Sequence, residues 1–250
     1  MLLTALSTRV DIQVALNTGS KPVFRTNGNS WEPYFASSDI KSGRPNKTDL
    51  ILTSFGLTLD PRLAHVWADL QEFCSILNLA FISRRKIEPK LFQEITVSVQ
   101  YRLLHLSYID DLGLNQTQTL KDKLHEMVRV GLLAFTTTIS LHATNDKVRF
   151  RHLASHLKEI LQAMDKPLDS NGEEMKLWLL FVAALSVFRT GPRASLKDDL
   201  IKSLEALQIS SWMAAKKVLK GFLWVDMIHD MGGKRVFEWC TLPLPRADVL

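Results

Sequence analysis

Apolar residues recur every three to four positions over most of the chain, the spacing of helices that bury one face. Residues 2–17 show it first, with Leu2, Leu3, Leu6, Val10, Val14 and Ala15 apolar. From Asp60 onward the pattern returns in blocks separated by turn residues. Asp60 before Pro61 reads as an N-cap with proline at the first helical position, opening a helix to about Ala80. Glu88 and Pro89 open the next helix in the same way, to about Tyr108, and Asp110, Asp111 and Gly113 end it. Further helices are expected over about 119–142 and about 146–164, the second closed by Pro167. Ser170 and Glu173 have capping-box spacing before the most hydrophobic helix, Met175 to Arg189, which Thr190, Gly191 and Pro192 stop. Ser195 and Asp198 form a second box-like start, for a helix to about Leu207. Ser210 or Ser211 caps a last long helix, which Gly232 and Gly233 end.

Between the first helix and Asp60 the periodicity fails. Gly19, Pro22, Gly28, Asn29, Pro33, Gly43 and Pro45 interrupt any regular element, so 18–59 is expected to be a long irregular segment. Phe24, Trp31, Tyr34 and Phe35 suggest that parts of it dock on the helices. No stretch alternates apolar and polar residues with turn punctuation, which excludes a sheet. No period of repeat length returns with matching residues, which excludes a solenoid. The expected fold is all-α. It is a single globular multi-helix bundle of about seven to nine helices over residues 1–250, with the irregular 18–59 loop and a helical core at 60–240.

Composition changes this picture little. The 250 residues are 46% hydrophobic and 23% charged, as in an ordinary globular protein. A net charge of +5 falls short of the concentrated basic stripe of a nucleic-acid binder. Two cysteines, Cys74 and Cys240, make neither a disulfide framework nor a four-ligand zinc site, and they suit a reducing, intracellular compartment. The apolar start of the chain is cut by Arg9 and Asp11, too early for a signal-peptide core. The longest apolar run, Leu177 to Phe188, is about one third too short to cross a bilayer, so no membrane segment is expected.

The residue constellations with chemical potential are few. His152 and His156 lie one turn apart, but the glutamate of a zinc-protease motif is missing between them, and a solvated helix face explains the pair. Asp110 and Asp111 resemble the acidic start of a terpene-cyclase metal site. Leu114 stands where a third acid is needed, and Arg149 blocks a second metal motif at Asn145 and Asp146. Glycine-rich phosphate loops and nucleophile-elbow serines are absent. Cys74 reads as a small core residue. Arg84, Arg85 and Lys86 follow a helix C-terminus, where cations are electrostatically favourable. The last helix is different. Trp212, Ala215, Val218, Leu219, Phe222 and Leu223 share one face, Lys216, Lys217 and Lys220 the other, and Asp226 and His229 land inside the apolar face. A buried carboxylate is costly unless paired. Asp226 is therefore expected to accept hydrogen bonds from His229, Arg235 or nearby backbone N–H groups, as a structural element and not a ligand site. Catalytic, cofactor-binding and metal residues are accordingly expected to be none, with no cofactor.

Four stretches together resemble one family. Phe222-Leu-Trp-Val-Asp-Met-Ile-His-Asp230 followed by Gly232-Gly-Lys-Arg-Val-Phe-Glu238 is similar to the closing signature of fungal-specific transcription factor domains, the regulatory regions of binuclear zinc-cluster regulators. Asp11-Ile-Gln-Val-Ala-Leu-Asn-Thr-Gly19 with Pro22 and Phe24 resembles that family's entry. Leu91-Phe-Gln-Glu-Ile-Thr-Val-Ser-Val-Gln-Tyr-Arg-Leu-Leu-His105 resembles its central helix, and Lys176-Leu-Trp-Leu-Leu-Phe-Val-Ala-Ala184 its hydrophobic one. The resemblance implies an all-α regulatory domain, not an enzyme, in the nucleus, or in the cytoplasm if the chain is truncated. It implies protein partners and room for a small-molecule effector. The family reads DNA through a separate cysteine-rich zinc cluster, for which this chain lacks the cysteines. The chain is thus expected to be a fragment or a relative without that module, with no specific DNA binding by itself. The alternative class is a stand-alone all-α enzyme or small-molecule-binding protein.

Overall fold

A computed structural model describes residues 2–24, 31–35, 58–108, 119–144, 150–163, 170–187 and 194–241. Among them there are nine α-helices and no strand, so the all-α expectation holds. They are α1 (Leu2–Thr18), α2 (Pro61–Ile82), α3 (Pro89–His105), α4 (Leu120–Thr144), α5 (Arg151–Ala163), α6 (Ser170–Leu185), α7 (Ala194–Ala206), α8 (Trp212–Leu219) and α9 (Asp226–Thr241).

The sequence signals set several of these boundaries. Asp60 caps α2 by accepting a hydrogen bond from the Arg62 N–H at 2.8 Å, with Pro61 filling the first helical position. Pro89 starts α3 in the same way, although Glu88 makes no side-chain cap. Ser211 caps α8 through the Ala214 N–H at 3.2 Å. Other boundaries move. α6 begins at Ser170, before the expected Met175, and ends at Leu185. α3 ends at His105, and Asp110, Asp111 and Gly113 lie outside the described residues. The same holds for Asn145, Asp146, Arg149 and Pro167, and α5 opens only at Arg151.

The largest correction concerns the C-terminus. The expected single helix from about Ser210 to Gly232 is two helices, α8 and α9, joined through a buried non-helical stretch, Phe222–Val225. Gly232 and Gly233 do not end a helix. They lie inside α9, and Gly233 faces two indoles: a Cβ there would sit 2.7 Å from Trp212 and 2.9 Å from Trp224. The glycine is needed for close approach of helix and ring, not for a turn.

Around these elements one continuous core forms. From Leu177 on, α6 is apolar all round, with Leu177 to Ala183 buried without a break, the pattern of a central helix. It packs against α4, α5, α7, α8 and α9. α1 lies on α3 and α5, and α2 on α3, α4 and α9. An aromatic cluster fills the centre: Trp178 stacks on Phe222 at 5.7 Å and meets Trp67 at 5.9 Å, while Trp224 meets Trp212 at 6.1 Å. No helix of the described residues is long and apolar enough to cross a membrane.

Candidate functional site

The stretch Phe222–Val225 is non-helical and buried, so its backbone polar groups need partners. Side chains from three helices supply them. On α2, Asn78 donates to the Trp224 carbonyl at 3.0 Å and accepts from the Asp226 N–H at 2.8 Å. On α6, Trp178 Nε1 donates to the Leu223 carbonyl at 3.0 Å. On α9, His229 Nδ1 accepts from the Val225 N–H at 2.9 Å. That bond leaves the His229 proton on Nε2, which lies 2.7 Å from Thr138 Oγ1 on α4. His229 is thus buried and engaged in holding the break between α8 and α9, and not in the expected bond to Asp226.

Asp226 departs from its expectation. It does not pair with His229, and its side chain keeps 23% of its surface exposed. It opens α9, where a carboxylate suits the helix dipole. Lys220 Nζ lies 2.9 Å from its Oδ2, and Lys216 Nζ 3.5 Å from its Oδ1 without hydrogen-bond geometry. Asp230 accepts from Lys216 at 2.5 Å and from the Trp224 indole at 2.9 Å. Burial acts to lower the Lys216 pKa, but Asp230 and Asp226 outweigh it and hold the ammonium above its ordinary value. The break turned Asp226 out of the apolar face, so lysines expected on the opposite side of one helix became its partners.

A second polar group, absent from the sequence reading, lies in the core on α1, α2 and α3. Asp11 and Asp69 are buried, and each takes the backbone of the irregular segment as a ligand. Asp11 accepts from the Val23 and Phe24 N–H groups at 2.8 and 2.9 Å, and from Tyr101 Oη at 2.7 Å. Asp69 accepts from the Tyr34 N–H at 2.7 Å and the Phe35 N–H at 3.2 Å, and it pairs with Arg102. Consecutive helical residues point about 100° apart, so Tyr101 and Arg102 on α3 reach α1 and α2 separately. The described parts of the irregular segment, at 23–24 and 31–35, therefore dock, as expected, and their N–H groups carry much of the contact. Trp31 and Phe35 pack on the core, with His65 Nδ1 2.7 Å from the Trp31 carbonyl and the Arg62 guanidinium over the indole. Phe24 and Tyr34 stay exposed. The signal for Asp69 was available: it sits between Trp67 and Leu70 on the buried face of a predicted helix.

The remaining candidates are not brought together. His152 is exposed, and its ring centre lies 5.9 Å from that of His156. Burial lowers the His156 pKa; Glu126, 3.4 Å away, opposes the shift without reversing it. Glu126 itself accepts from Arg129 Nε at 2.7 Å. Among the described residues, no group of three or more His, Cys, Asp or Glu is placed to hold a metal ion. Burial pushes the Cys74 thiol far up, and the Cys240 thiol up to about 11, so neither is an activated nucleophile. Among the described residues, the buried carboxylates Asp11 and Asp69 hold backbone and helices in place.

Comparison with protein-family models, with curated proteins and with solved structures finds no match.

Proposed function

We propose that this chain is a transcription-regulatory helical domain of the fungal zinc-cluster type, without its own DNA-binding module, acting in the nucleus through protein or effector contacts. One observation carries the reading. The four stretches that resemble fungal-specific transcription factor domains are tied in pairs by buried hydrogen bonds. The entry stretch meets the central helix through Asp11 and Tyr101 at 2.7 Å. Phe24, the last residue of the entry pattern, donates its N–H to the same Asp11 at 2.9 Å. The hydrophobic helix meets the closing signature through Trp178 and the Leu223 carbonyl at 3.0 Å. A resemblance that falls on fold-determining contacts supports shared architecture better than scattered identities would. Such contacts argue for fold first, and the regulatory role follows from the resemblance.

On this reading the purified chain binds DNA only weakly, in a salt-sensitive and sequence-independent way. Fluorescence anisotropy on a panel of duplexes at physiological salt checks it. Sequence-specific binding with Kd at or below about 10 nM would contradict the proposal.

A further inference from the structure

The C-terminal turn of α2 ends in an apolar patch that serves no core. Leu79, Phe81 and Ile82 are 66%, 52% and 77% exposed. Beside them opens a groove of about 470 Å³, the size of a ligand cleft, floored by Ile76, Leu79 and Ala80 on one side and by Ile87 and Leu91 on the other. Arg85 and Lys86 line its rim against one carboxylate, Glu88, and Arg84, next to them in the chain, is exposed as they are.

The α2 carbonyls do not need the side chains of these cations as hydrogen-bond donors. The terminal carbonyls of α2 already have donors: Leu79 O accepts from the Ser83 N–H at 2.8 Å, Phe81 O from the Arg84 N–H at 3.3 Å, and Ala80 O from the Arg85 N–H at 2.9 Å. This is a Schellman turn, with Arg84 at φ +53° in the slot that glycine ordinarily fills. The turn uses only backbone groups of Arg84 and Arg85, so their side chains are released from it. No carboxylate among the described residues forms an ion pair with Arg84, Arg85 or Lys86.

We propose that this corner between α2 and α3 docks an amphipathic segment of a partner protein, with apolar side chains entering the groove and carboxylates meeting Arg84, Arg85 and Lys86. The proposal rests on the reading of the chain as a domain that works through protein contacts, and names the surface and the partner's chemistry. Charge complementarity selects the acidic partner; the exposed Leu79, Phe81 and Ile82 supply the anchors that helix-in-groove recognition requires.

The probe is a fluorescein-labelled synthetic peptide about four helical turns long, with leucines at i, i+3, i+4 and i+7 flanked by glutamates. Its anisotropy is titrated with the full chain. Saturable binding is expected with Kd on the order of micromolar, weakened about tenfold or more by Ile82→Asp and by combined Arg85→Glu and Lys86→Glu. These residues are exposed, so the melting temperatures of the variants should stay near that of the parent. Arg84→Gly is expected to separate binding from folding: it removes a cation and weakens binding, while the relieved φ raises the melting temperature. The proposal is overturned if the parent chain shows no saturation, if a scrambled peptide of equal composition binds as well, or if the charge-reversed chain keeps its affinity. Capture of the chain by anionic phospholipid vesicles with no peptide binding would assign the patch to a membrane surface and equally overturn it. If the chain regulates transcription but the patch variants change neither peptide binding nor output, the docking surface fails and the regulatory reading stands.

Discussion

Single residues in this core have little freedom, and Gly233 shows it best. Its Cα faces Trp212 and Trp224 with no room for a methyl group. Gly233→Ala is predicted to destabilise the chain by about 1–3 kcal/mol, seen as a lower urea midpoint with unchanged slope. Indifference to that substitution would mean that the two indoles do not pack on α9 as described. At Asn78, Asp69 and Asp11 the same economy takes a polar form. Each side chain satisfies two or more groups, most of them backbone N–H or C=O from outside its own helix. These residues were hard to read from sequence because a lone Asp or Asn on a helix gives no sign of a distant partner. Asp69 was the exception, since its apolar neighbours place it on the buried face. Asp226 misled for the opposite reason. Its place on an extrapolated helical wheel was apolar, but the wheel does not apply across Phe222–Val225.

At the scale of elements, the starts of helices were legible and their interruptions were not. Proline at the first position fixed α2 and α3 because its φ and missing N–H are local properties. The break between α8 and α9 is held by Asn78 and Trp178 from other helices and by His229 of α9 itself, and the apolar residues Phe222 and Leu223 continue the helical pattern into it. Helix ends show a different local device. Like α2, α7 closes in a Schellman turn, with Ile209 N–H on the Leu204 carbonyl at 2.8 Å and Gln208 at φ +55°. Gln208 is exposed, so the left-handed conformation has no side-chain compensation in the core. Gln208→Gly is predicted to stabilise the chain by about 0.5–1 kcal/mol. Differential scanning calorimetry should show a rise in Tm of about 1–4 °C; a fall would contradict the turn geometry.

The whole molecule joins these devices into one body. The apolar α6 organises the C-terminal helices, and α3 gathers the N-terminal ones through Tyr101 and Arg102. The overall class was legible in the sequence, because helical period and capping residues are repeated many times along the chain. What joins the parts was not legible, because contacts such as Asp11–Tyr101 and Trp178–Leu223 link residues far apart in the chain. The proposed function rests on a sequence resemblance, and it therefore needs a test of function and not of fold. The most direct one fuses the chain to an unrelated DNA-binding module and measures transcription of a reporter carrying that module's site in a fungal host. The account predicts output changed severalfold, up or down, relative to the module alone, and returned to that level by a core substitution such as Gly233→Ala if it unfolds the domain. Output equal to the module alone, with the fusion present at normal levels and folded, would contradict it.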